Sequence, residues 1–157
     1  MMNNRNFEIL LAESKTKIDK AFALVEASLS KIEKYKLDYT YSYEELEPYD
    51  ALTGRFIRCV EMFAKYFKTY DSYKSIVQAP TYRDLINIME KSGLVANTPV
   101  WMNMRDVRNR IVHDYLPEQT KDMFDSIMGE FYDQLKFSKN KIENGIGRDS
   151  VRNNLCT

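Results

Sequence analysis

One short stretch of this sequence holds most of the side chains able to do chemistry. Between Trp101 and Tyr115 lie the chain's single histidine, His113, its single tryptophan, Trp101, and three arginines within six residues: Arg105, Arg108 and Arg110. A histidine titrating near neutral pH can take the proton of a ribose 2′-OH or give one to a leaving oxygen. An arginine fork can hold a phosphate through two parallel hydrogen bonds and stabilise charge developing at phosphorus. Asn109 is placed to orient the phosphate or the imidazole, and Arg105 and Arg110 to contact further phosphates. No Asp, Glu and His set has the spacing of metal ligands. Chemistry here would be metal-independent, without a cofactor, and would leave a 2′,3′-cyclic phosphate and a 5′-OH.

On an ideal helix Val100, Met104, Val107 and Ile111 share one inward face. Arg108 and Tyr115 lie on one flank of that stripe. Asn109 and His113 lie on the outer side, with Arg105 beside Asn109. Arg108 and His113 are separated by about 140° of helix, so they do not stack as neighbours. Either the last turn distorts ahead of Pro117, or a second copy of the helix completes the site. A single histidine per chain favours the second arrangement, a C2 homodimer that supplies two His and two Arg. Each residue also has an ordinary reading. A lone histidine near a helix end is usually structural, and the arginines can pair with Asp106 and Asp114. Tyr115 fits a rim aromatic and Trp101 core packing. By themselves these residues define a helical bundle with a cationic patch.

The elements that must carry this patch follow from helical periodicity. Phe7, Leu11, Ser14, Ile18, Ala21, Val25, Leu29 and Ile32 predict a helix over 4–34. The tyrosine-rich stretch 35–50, ending near Pro48, reads as a loop or at most a short helix. Phe56, Val60, Phe63 and Phe67 predict a second helix over 49–70. Its polar positions are biased towards Arg55, Arg58, Lys65 and Lys68, against Glu61. Thr81 and Asp84 resemble a capping box for a short helix that Gly93 stops. Thr98 as N-cap and Pro99 at the first position open the motif helix, 99–115. A last helix over 118–144 buries Phe124, Ile127, Met128, Phe131 and Leu135. The expected fold is all-α, an up-and-down bundle of four to five helices in one domain, 1–144, followed by a polar tail, 145–157, expected to be disordered.

Composition narrows the function. The 157 residues carry no net charge, and the sequence pI is near 6.6. That counts against a general nucleic-acid coat protein, though not against an enzyme meeting RNA at one local patch. Cys59 falls within an apolar helical pattern and reads as a core filler, and Cys156 as an exposed thiol. No apolar run approaches a membrane span, and the N-terminus meets Glu13 and Lys15 too early for a secretory signal. A soluble cytoplasmic protein without a membrane partner is expected.

The octapeptide Arg108-Asn109-Arg110-Ile111-Val112-His113-Asp114-Tyr115 resembles the R-x4-H-x-Y signature of the HepT toxins of the HEPN superfamily. The Leu85–Met89 helix, Gly93-Leu94 and Trp101 ahead of the motif extend the resemblance to about residues 5–140. It implies a helical bundle dimerising through its motif helices, and a metal-independent endoribonuclease toxin with Arg108, His113 and Asn109 as its catalytic set. Transfer RNA is the target it suggests. It also implies a minimal nucleotidyltransferase antitoxin as partner, which silences the toxin by adenylylating Tyr115. Added bulk and negative charge beside Arg108 would repel the RNA phosphate. Relatives of these toxins include substrate-binding partners of nucleotidyltransferases. The alternative is therefore a non-catalytic substrate-binding subunit of such an enzyme.

Overall fold

The structure, a computed structural model, describes residues 2–112 and 116–153, with side chains for 2–110 and 116–145. Helix α1 spans Asn4–Leu29, α2 Tyr43–Lys74, α3 Tyr82–Lys91 and α4 Thr98–Val112. Helix α5 (Pro117–Ser126), a π-helical turn (Ile127–Phe131) and α6 (Tyr132–Asn153) follow one another without a break. The described residues therefore form an all-α bundle of five helical rods, with no strand among them. No helix among them is long and apolar enough to cross a membrane.

The two long N-terminal helices run antiparallel. Phe7 near the start of α1 meets Tyr73 near the end of α2, with ring centroids 5.8 Å apart. At the other end the Arg55 guanidinium donates to the Leu24 carbonyl (3.1 Å) and to Ser28 Oγ (2.8 Å). Arg55 thus ties the middle of α2 to the last two turns of α1 through one carbonyl and one hydroxyl. The final rod packs on both helices. Phe22 stacks on Tyr132 at 5.6 Å, and Phe56 stacks on Phe131 at 5.7 Å. Ile127, Phe131 and Leu135 are all buried at four-residue spacing. On a regular α-helix that spacing drifts around the axis, and the wider π turn keeps the three on one face.

The expected apolar stripes are found in the core. Leu11, Ile18, Ala21 and Val25 of α1 are buried, as are Phe56, Val60, Phe63 and Phe67 of α2. Cys59 is buried and free, and burial pushes its thiol up to about 12. Cys156 lies outside the described residues. Several boundaries differ from expectation, among them that α2 runs on to Lys74 rather than to residue 70, and α6 to Asn153 rather than to residue 144. Helix α1 stops at Leu29, and α2 begins at Tyr43, well before the expected start at Tyr49. A capping box sets that start: Ser42 Oγ accepts from Glu45 N, and Glu45 Oε1 accepts from Ser42 N, both at 3.1 Å. Pro48 then sits inside the helix. An interior proline costs about 3 kcal/mol in general. Here the capping box and the burial of Tyr49, whose hydroxyl donates to the Glu33 carbonyl at 2.7 Å, offset it.

The short helices α3 and α4 meet at a tight corner. Thr81 caps α3 by accepting from Asp84 N at 3.1 Å, as its spacing suggests. Gly93 has a φ of +82°, a conformation only glycine adopts cheaply, and ends the helix. The N-cap of α4 is one residue earlier than expected. Asn97 Oδ1 accepts from Val100 N at 3.1 Å, while Thr98 is buried inside the first turn. Thr98 is held there by Glu90 of α3, whose carboxylate accepts from the Thr98 backbone N–H (2.7 Å) and hydroxyl.

Those two Thr98 bonds hold the Glu90 carboxyl below its ordinary value of 4.5. A carboxylate lowered on folding contributes stability above its unfolded pKa and loses it as pH falls through the folded one. Parent protein should therefore lose stability on acidification below pH 4.5 more steeply than Glu90→Gln. Urea midpoints measured across the acid range check this, and parallel curves for the two proteins would disprove it.

Candidate functional site

Three of the residues singled out in the sequence, Arg105, Arg108 and Asn109, line a groove between α2 and α4, with Tyr82 of α3 at its border. Helix α2 contributes Ile57, Glu61, Ala64 and Lys68, and α4 contributes Met102, Arg105, Asp106, Arg108 and Asn109. The α2 residues recur at four- and three-residue spacing, which places them in one line beside the buried Phe56–Phe63 stripe. With Phe63 and Phe67 turned into the core, this neighbouring line is left facing α4. The groove encloses about 560 Å³, within the range of about 300–1,000 Å³ that small-molecule sites occupy.

Helix α4 is pinned by its inner face. Trp101 is 0% exposed and meets Phe63 edge-on at 5.5 Å and Phe67 at 5.3 Å. Met104 and Val107 are buried on the same side. Residues one step around the helix, Arg105, Arg108 and Asn109, are thereby held outward along the groove. Arg108 Nη1 reaches across to Glu61 Oε1 at 2.8 Å. Both side chains are open to solvent, at 70% and 46% exposure, so the bridge contributes no more than about 1 kcal/mol. Such a pair exchanges readily with a competing anion.

Arg105 behaves differently. Its guanidinium lies 4.3 Å from the ring centroid of Tyr82, the first residue of α3. This cation–π contact orients Arg105 without consuming its charge. The Tyr82 hydroxyl is buried with no hydrogen-bond partner among the described residues. Burial pushes its pKa up to about 12, against a smaller opposing pull from Arg105. Lys68, at the other wall, and Arg105 have no carboxylate within ion-pair distance among the described residues.

The groove thus brings together Arg105, Arg108 and Asn109. It does not include Arg110, which is half-buried elsewhere on α4. His113 and Tyr115 lie outside the described residues. The basic bias of α2 resolves into separate roles: Lys68 lines the groove, whereas Arg55 holds the end of α1. Sequence reasoning did not assign Glu61 or Tyr82 to the site. The Glu61 signal was its place as the one acidic residue between Ala51 and Tyr70, among Arg55, Arg58, Lys65 and Lys68.

An all-α bundle with an open groove, apolar in its floor and cationic at its rim, is the class of molecule that fold and site define. The profile of one protein family, described as "Nucleotidyltransferase substrate binding protein like", matches residues 16–144, and the chain belongs to that family. Comparisons with curated proteins and with solved structures gave no match.

This membership overturns the toxin reading. The chain is placed with nucleotidyltransferase substrate-binding proteins, not with the HepT toxins of the HEPN superfamily. The expected endoribonuclease activity falls with it, since the family is described by substrate binding. So does the silencing of a toxin by adenylylation of Tyr115. The expected nucleotidyltransferase partner agrees with the family, whereas a homodimer, an RNA substrate and transfer RNA gain no support from it. The misleading signal was a single octapeptide, while the family match extends over most of the chain.

Proposed function

We propose that this chain is the non-catalytic substrate-binding subunit of a minimal nucleotidyltransferase. In this reading the α2/α4 groove presents an anionic substrate, or an anionic surface of the enzyme, to the partner's active site. The observation that carries it is the family match over residues 16–144. The groove supports it chemically. Arg105 and Lys68 offer charge that no carboxylate in the groove consumes, and Arg108 can exchange Glu61 for a bidentate ligand oxyanion. Asn109 adds a donor and an acceptor for orientation. The arginines and Asn109 act here in binding, and the chemistry of transfer belongs to the partner. Transfer RNA is one anion whose phosphates these cations would meet, so it belongs among the substrates tried.

The test is reconstitution. The chain would be co-expressed with a minimal nucleotidyltransferase encoded in the same genome and the pair analysed by size exclusion and light scattering. Transfer of labelled AMP from ATP to small anions, protein and transfer RNA would be followed with and without the chain. A stable complex and a substrate used only when the chain is present are expected. An enzyme that neither binds the chain nor changes its rate on any substrate would refute the proposal.

A further inference from the structure

A second pocket lies at the opposite end of α2, in the α1–α2 connection. It encloses about 320 Å³ and is lined by Lys31, Lys34, Lys36, Tyr39, Tyr41 and Tyr49 together with two glutamates. Tyr49 and Ile57, the nearest α2 residues of the two sites, are eight residues apart, about 12 Å along the axis, and no residue lines both.

Its aromatic wall is fixed in place. Tyr35 stacks on Tyr41 with centroids 4.8 Å apart, and Tyr39 meets Tyr41 edge-on at 4.8 Å. The Tyr41 hydroxyl accepts from Lys36 N at 2.9 Å. The Tyr39 hydroxyl donates to Glu45, yet the residue remains 47% exposed. A phenol tethered at its tip but open on its face is a preorganised flat surface.

The charge at the rim is available. Lys31, Lys34 and Lys36 have no carboxylate within ion-pair distance among the described residues, and all three are exposed. The Glu45 carboxylate is occupied by Ser42 N and the Tyr39 hydroxyl. Glu33 contributes its backbone carbonyl, which accepts from Tyr49, and its carboxylate acts on Tyr49 through space, so the three lysines outnumber the two glutamates that line the pocket. A rigid aromatic face beside three uncommitted ammonium groups matches a ligand with a flat ring and a compact multiple negative charge. The volume suits one such ligand.

We infer that this pocket binds a nucleoside diphosphate or triphosphate, its base against Tyr39 and its phosphates on Lys31, Lys34 and Lys36. The site is independent of the proposed α2/α4 role and stands or falls separately from it.

Isothermal titration of the full chain with ADP, with adenosine and with pyrophosphate tests this. ADP should bind saturably at one site and more tightly than either fragment. Tyr39→Leu should weaken ADP about tenfold through lost stacking. Lys31→Glu with Lys34→Glu and Lys36→Glu should abolish binding, and Lys68→Ala should leave it unchanged. All the altered side chains are exposed, and circular dichroism melts confirm that each variant is folded. Absence of saturable ADP binding would overturn the inference. So would equal affinity for pyrophosphate and ADP, or loss of binding on Lys68→Ala with none on the lysine reversals.

Discussion

Trp101→Ala should destabilise the chain by about 3–5 kcal/mol, the usual cost of truncating a fully buried large aromatic. For a domain of this size that is a fall in Tm of about 10–15 °C. The indole is 0% exposed and is wedged edge-on between Phe63 and Phe67 at 5.5 and 5.3 Å. Its removal takes away the main anchor of α4 and leaves a cavity that the neighbouring phenylalanines, fixed on α2, cannot collapse to fill. One term runs the other way. Trp101 Nε1 is buried with no hydrogen-bond partner among the described residues, so alanine also deletes an unsatisfied donor. Trp101→Phe keeps a ring and removes that donor, and should cost less than half as much as alanine. Thermal melts followed by circular dichroism suit the comparison, since the variants lose the chain's single tryptophan fluorophore. A Trp101→Ala melt within about 3 °C of the parent would show that α4 is held by something else. Arg105 lies one helical turn beyond Trp101, so loosening this anchor should also blunt binding in the groove.

Arg105→Glu combined with Arg108→Glu should weaken binding of the nucleotidyltransferase, or of its anionic substrate, about a hundredfold. The double reversal replaces two cations on the α4 rim with two carboxylates, beside Glu61 and Asp106 already there. The same change should cost only about 1 kcal/mol of stability, because the Arg108–Glu61 bridge and the Arg105–Tyr82 contact are both solvent-exposed on the arginine side. A large loss of affinity with little change in Tm separates a binding role from a structural one. Affinity of the parent should also fall as salt rises, with a shallower dependence in the variant. Affinity within about threefold of the parent would remove the groove from the proposed function.

Much of the fold was legible because its signals are local. The apolar spacing of Phe56, Val60, Phe63 and Phe67 defines a buried helix face whatever it packs against. Thr81 with Asp84 marks the start of α3, and Gly93 marks its end, each through atoms only a few residues apart in the chain. The start of α2 carries an equally local signal, the capping box of Ser42 and Glu45, but Pro48 argues locally for a break and outweighed it. The packing of Tyr49 decides that the helix runs through the proline.

The candidate site divides along the same line. The sequence by itself determined that Arg105, Arg108 and Asn109 stand outside the apolar face of one helix, because a 3.6-residue period leaves them no other place. Only the tertiary structure decided what those side chains meet. Glu61 is 47 residues from Arg108, and Tyr82 belongs to another helix than Arg105. Such pairings depend on which buried stripes face one another across the core and on how far each helix is rotated about its axis. Trp101 seated against Phe63 and Phe67 sets that rotation for α4, and with it turns a cationic helix face into one wall of a groove.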